Sequence, residues 1–76
     1  MSRQDLAMAP LTVGVKGLAQ LLGVSRSHIY RLDSTGEMPQ GLRLGNRRVW
    51  LVEEVHAWLR AGSPRRDLWE LLKEGS

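Results

Sequence analysis

The sequence predicts a mainly α-helical domain carrying one small β-hairpin, and three observations support that. Apolar residues recur at helical spacing in two short stretches separated by Gly23. Between Gly41 and Trp50 the period changes to one suited to strands, flanking Gly45-Asn46, a two-residue hairpin signal. Helical spacing then returns from Leu51 to about Ala61. With 76 residues and 42% hydrophobic content, the chain has room for one core and excludes a multidomain enzyme with an insulated pocket. A domain this short buries only about 60% of its unfolded surface, so it needs good local structure, a partner, or both.

Taken in order, residues 1–11 (MSRQDLAMAPL) show no periodicity and end beside Pro10, which predicts a flexible N-terminal arm. Val15, Leu18, Ala19 and Leu22 follow the i, i+3, i+4, i+7 template of a short amphipathic helix, with Thr12 or Gly14 near its start and Gly23 at its end. Ser25 is a good N-cap for a second helix, whose stripe runs through Ile29, Leu32 and position 36; Gly36 suits a left-handed C-terminus and Pro39 blocks continuation. Leu42-Arg43-Leu44 and Arg47-Arg48-Val49-Trp50 form the expected hairpin. In the third helix Leu51, Val55, Trp58 and Leu59 make the apolar stripe, and Glu53 and Glu54 suit the first turn. Gly62 breaks the chain, Ser63-Pro64 reads as an N-cap and N1 pair, and Leu68, Trp69, Leu71 and Leu72 fit a short fourth helix. The expected organisation is an arm over 1–11, a folded domain over 12–61 and a C-terminal short helix or tail over 62–76.

Charge is distributed unevenly. The net charge is +3, yet residues 16–51 carry six cations (Lys16, Arg26, Arg31, Arg43, Arg47 and Arg48) against Asp33 and Glu37, while the flanking segments sum to zero and −1. Arginine dominates, and its planar fork suits phosphate and guanine edges. Cysteine is absent, which removes disulfides, thiolate metal sites and cysteine nucleophiles. No apolar run approaches the roughly 18 residues of a membrane helix, and the opening residues lack the order of a signal peptide. A cytoplasmic protein with no membrane association is therefore expected.

The segment VKGLAQLLGVSRSHIYRLDS reads as a helix-turn-helix because each special position has a steric reason. Ala19 is small where two crossing helices approach closest, Gly23 can take the positive φ of the turn, and Ile29 packs the second helix on the first, with Leu18, Leu22, Val24 and Leu32 filling the corner. A helical hairpin with a glycine turn would share this spacing, and the polar face favours the first reading. With Ser25, Ile29 and Leu32 inward, the outward positions are Ser27, Tyr30, Arg31 and Ser34, flanked by Arg26 and His28. Arg26 and Arg31 can fork onto guanine or phosphate, Ser27 and His28 can reach base edges, and Tyr30 can donate to phosphate. His28 reads equally as an ordinary surface histidine.

In a two-residue hairpin, Leu44/Arg47, Arg43/Arg48 and Leu42/Val49 lie opposite one another, so Arg43 and Arg48 repel unless an anion sits over them. A DNA phosphate or the negative minor groove would supply it; a charged edge that blocks aggregation is the other reading. Trp50 and Trp58 have the spacing of core packing and not of a base-stacking platform. Trp69 fits either a cover on the core or a partner surface.

The motifs LAQLLGVSRSHIYRLDSTGEMP, RLGNRRVW and Trp50-x-x-x-Glu54-Val55-x-x-Trp58-Leu59 resemble those of small phage and mobile-element regulators of the AlpA-like and excisionase-like type, which carry a MerR-like winged helix-turn-helix. The match runs from about Thr12 to Leu59, and Ala61 to Arg65 with Trp69-Glu70 extends it to about residue 70. The resemblance implies binding of double-stranded DNA, with Arg26, Ser27, His28, Tyr30 and Arg31 at recognition-helix positions and Arg43, Arg47 and Arg48 in the wing. With Ser25 these are the candidate DNA-contacting residues. Two positions depart from the pattern: Gly14 stands where a Ser or Thr cap is usual, and Gly17 replaces a polar helix former.

The expected function is therefore transcriptional regulation through sequence-specific DNA binding. An excisionase that bends recombination-site DNA is an alternative, and a protein-binding adaptor using the C-terminal apolar helix is a second. A homodimer or cooperative oligomer on repeated half-sites is expected, and an integrase or other protein is a further candidate partner. An enzyme is disfavoured: His28 and His56 lack a third ligand nearby, and neither a phosphate-binding Gly-x-x-x-x-Gly-Lys nor a Gly-x-Ser-x-Gly elbow occurs. No metal or cofactor is expected.

Overall fold

The computed structural model of the chain describes residues 10–74, so most of the expected N-terminal arm lies outside the described residues. The elements run β1 (Thr12–Val13), α1 (Val15–Leu22), α2 (Arg26–Ser34), β2 (Leu42–Leu44), β3 (Arg47–Leu51), α3 (Val52–Arg60) and α4 (Arg66–Glu74). Among the described residues four helices accompany a three-stranded antiparallel sheet of order β1-β3-β2, an arrangement compatible with a winged helix-turn-helix. The mainly α class with a hairpin was legible in the sequence. Strand β1 was not, because two residues carry no period. It pairs Thr12 with Leu51 and Val13 with Trp50, and the Val52 N–H donates to the Leu11 carbonyl at 2.9 Å.

Helix α1 has the expected span and buries Leu18 and Ala19. Gly14 at its N-cap supplies no side-chain bond, in keeping with the departure noted there. Gly23 takes φ 71°, and the Val24 N–H returns to the Ala19 carbonyl at 3.0 Å, so the chain reverses in one residue. Ser25 then caps α2, its Oγ accepting the His28 N–H at 3.1 Å. At the far end the Glu37 N–H bonds the Leu32 carbonyl (2.8 Å) and the Gly36 N–H bonds Asp33 (3.2 Å), with Gly36 at φ 71°, the left-handed cap this bond pattern needs.

The hairpin register is the expected one: Leu42 faces Val49, Arg43 faces Arg48 and Leu44 faces Arg47. Gly45 alone of the two turn residues takes positive φ, the pattern of a type II′ turn. Gly41, at φ 83°, lies so close to β3 that a Cβ there would stand 2.7 Å from the Val49 carbonyl oxygen and 2.9 Å from Trp50 Nε1. The chain entering β2 therefore runs against β3 with no room for a side chain at Gly41.

Leu18, Ala19, Ile29, Met38, Trp50, Val55, Trp58 and Trp69 form one buried cluster, with Leu22, Val24 and Leu32 packed against it. All three indoles bury their rings while satisfying their N–H groups: Trp50 donates to the Pro39 carbonyl at 2.9 Å, Trp58 to the Pro64 carbonyl at 2.8 Å, and Trp69 to Glu54 at 2.9 Å.

Two expectations need correction. Leu51 ends β3 and caps α3, and it and Leu59 are both exposed, because α3 turns only Val55 and Trp58 fully inward. Ser63-Pro64 does not open the last helix. The Ser63 N–H instead closes α3 on the Trp58 carbonyl (2.9 Å), and α4 begins only at Arg66. The expected short fourth helix forms, with Leu68, Leu71 and Leu72 exposed and Trp69 in the core, one of the two places the sequence left open for it.

Candidate nucleic-acid interface

The outer face of α2 presents Arg26, Ser27, Tyr30, Arg31 and Ser34 to solvent, because the inward stripe is taken by Ile29, fully buried, and Leu32. Arg31 is held on that face by its neighbour. Its Nη2 donates to His28 Nδ1 at 2.6 Å, which requires the imidazole to accept at Nδ1 and to carry its proton on Nε2. Ser25, by contrast, spends its hydroxyl on the cap of the helix.

One groove of about 410 Å³ joins this helix to the wing. Lys16 from α1, Arg26 and Tyr30 from α2, and Arg47 and Arg48 from β3 all line it. Among the described residues the side chains of Lys16, Arg26, Arg43 and Arg47 have no hydrogen-bond or ion-pair partner, so their charge is available to an external anion. Arg47 lies against the start of α1, where a Cβ on Gly14 would come within 3.2 Å of its Nη2. A serine or threonine cap at that position would compete with Arg47 for space.

Arg48 is differently placed. Its guanidinium forms a two-pronged pair with Asp33, Nη2 to Oδ1 at 2.6 Å and Nη1 to Oδ2; Nε reaches the Gln40 carbonyl at 2.8 Å and Nη2 also bonds that oxygen. It lies 5.0 Å over the Trp50 ring. Asp33 is also held by Arg66 at 2.8 Å, and Arg66 in turn bonds the carbonyls of Met38 (3.0 Å) and Asp33 (3.2 Å). Burial works to raise the Asp33 pKa, but the hydrogen bonds and charges of Arg48 and Arg66 outweigh it and hold the carboxyl below its ordinary value. The expectation that the Arg43/Arg48 pair calls for an external anion is thereby corrected: the register is right, and the anion is the chain's own Asp33.

Sequence reasoning counted Asp33 only as one acid among the cations and overlooked Arg66 altogether. The only signal available was an acid inside an arginine-rich segment, which names no partner.

Among the described residues no group of three or more His, Asp or Glu side chains stands ready to hold a metal, and no helix is long and apolar enough to cross a membrane. The arrangement suits the binding of a polyanion: a capped helix with a polar outer face, a basic wing beside it, and cations shared between the two. Fold and surface together define a winged helix-turn-helix with a basic face. Residues 13–62 match the family model of the prophage CP4-57 regulatory protein, AlpA, and the chain belongs to that family of phage regulatory DNA-binding proteins. It is also similar to an uncharacterized protein, ORF88, of Enterobacteria phage P4, with 46% identity over 46 residues, covering 59% of this chain and 52% of that protein. The chain thus spans about half the length of the curated relative it matches. No solved structure matches it.

Proposed function

We propose that this protein is a sequence-specific binder of double-stranded DNA that acts as a transcriptional regulator in the cytoplasm. Helix α2 enters the major groove and reads base edges with Arg26, Ser27, His28 and Arg31, while Tyr30 donates to the backbone. The free N–H groups at the N-terminus of α2 face the same anionic surface. The wing grips backbone or minor groove through Arg43 and Arg47. The observation that carries this reading is the shared groove, in which the unpartnered Lys16, Arg26 and Arg47 from three elements converge beside the exposed face of α2. The DNA-binding unit is residues 12–61, braced by the last helix. A single module of this size gains specificity by binding repeated half-sites as a homodimer or cooperative array.

Selection of bound fragments from the source genome, followed by footprinting, tests the proposal. A recurrent motif protected at both groove faces over repeated half-sites is the expected result. Recovery of random fragments with no protected motif would remove sequence-specific binding and leave a general polyanion binder.

A further inference from the structure

We propose that Asp33 is a specificity-determining residue of the DNA-binding surface: from α2 it claims the Arg48 guanidinium for the fold, leaving Arg43 and Arg47 as the wing's phosphate-gripping cations. This rests on the DNA-binding reading above and assigns the wing's arginines to separate tasks.

The geometry of Arg48 is that of a structural cation. Of the five N–H donors a guanidinium carries, four are engaged, two on the Asp33 carboxylate and two on the Gln40 carbonyl, and Trp50 lies beneath one face. To contact phosphate, Arg48 would have to abandon Asp33 and leave that carboxylate, only 20% exposed, with Arg66 as its one remaining cation beside a polyanion. Losing the pair and adding that repulsion both oppose the exchange. Arg47, one residue away on β3, is exposed and has no partner among the described residues, and Arg43 on β2 is placed likewise.

Two consequences follow for binding. A cation neutralised inside the protein does not add to the phosphate contacts that set affinity for any sequence, so Asp33 lowers binding to random DNA. The same carboxylate ties α2, the wing and, through Arg66, the start of α4 into one body. It therefore fixes the distance between the helix that reads bases and the strands that grip backbone, which couples specific readout to backbone register.

The test is binding of the full chain to a random-sequence duplex and to a duplex of equal length carrying the selected genomic site, each at several salt concentrations. Arg47→Ala should lower the slope of log affinity against log salt by about 0.9, the value of one phosphate contact. Arg48→Met should leave the slope at its original value. Asp33→Asn should raise it by about 0.9 on random DNA, roughly a 3.5-fold steeper loss over a fourfold rise in salt, and should narrow the ratio of specific to random affinity. The unaltered chain supplies an independent reading by nuclear magnetic resonance: on adding the specific duplex, the Arg47 side-chain Nε–H signal should shift and that of Arg48 should stay. An Arg48→Met slope that falls as far as that of Arg47→Ala, or an Arg48 signal that moves with DNA, would overturn the assignment while leaving DNA binding intact. An original chain with no salt-dependent DNA binding would instead overturn the proposed function.

Discussion

Trp69 donates its indole N–H to Glu54 Oε2 at 2.9 Å, which joins the last helix to α3. Lys73, one turn further along α4, reaches the same oxygen at 2.7 Å and also pairs with Glu70 at 2.9 Å. The buried ring and the shared carboxylate hold α4 against the body of the domain, although its three leucines stay exposed. Trp69→Ala should destabilise the protein by about 3 to 5 kcal/mol, the usual cost of truncating a buried aromatic. Trp69→Phe keeps most of the packing and loses one hydrogen bond, and should cost about 1 kcal/mol beyond its smaller volume. Chemical denaturation of both variants checks the order; equal losses would mean that the bond to Glu54, not the ring, carries the docking.

Asp33 and Glu54 make stability depend on acid. For Glu54, burial works to raise the pKa, but the hydrogen bonds from Lys73 and Trp69 and the Lys73 charge prevail and lower it; Asp33 is lowered likewise by Arg48 and Arg66. A carboxyl whose folded pKa lies below its unfolded value takes up its proton first in the unfolded chain. The stabilisation is therefore present above the ordinary carboxylate values, about 3.9 for Asp and 4.3 for Glu, and is lost as pH falls through the lower folded values. Thermal melting should be level from about pH 5 to 7 and should fall steadily below about pH 4, less steeply in Glu54→Gln. At the other extreme Lys73, raised chiefly by its hydrogen bond to Glu54, adds stability below its ordinary pKa that is lost as pH rises through the folded one. A melting temperature unchanged down to pH 2.5 would show that neither carboxyl is paired in solution.

Gly17 explains a departure in the sequence. An exposed glycine in a helix normally gains about 1 kcal/mol on replacement by alanine. Here a Cβ would meet Val13 Cβ at 2.9 Å and Cγ1 at 3.0 Å, because β1 packs directly on α1. Gly17→Ala should therefore destabilise, by about 1 to 3 kcal/mol if the strand must shift. Pairing it with Val13→Ala should recover much of the loss, and a stabilised single variant would show that Val13 does not rest on the helix.

On the outer face of α2, Arg26→Ala and Arg31→Ala should each weaken specific DNA binding by about 1 to 3 kcal/mol and relax base preference. His28→Ala should weaken it less, through loss of its own base-edge contact and of the contact that holds Arg31 at 2.6 Å. Titration of specific and random duplexes with each variant is the measurement, and equal losses on both duplexes would assign these arginines to phosphate instead of bases.

What the sequence determined by itself is whatever is encoded between near neighbours. The span of α1, the Ser25 cap, the left-handed Gly36 and the hairpin register each depend on residues within a few positions of one another, where backbone geometry leaves few alternatives. The outward face of α2 was legible for the same reason, since helical rotation alone separates Arg26, Tyr30 and Arg31 from Ile29. Only the tertiary structure decided the rest. Strand β1 exists because β3 offers it an edge, Met38 is buried in a segment without period, and Trp69 joins the core where Glu54 accepts its N–H. Asp33 meets Arg48 fifteen residues away and Arg66 thirty-three residues away. A charge in a sequence carries a sign but no address, so which arginine is held by the fold and which remains open to DNA is settled only when the chain has closed.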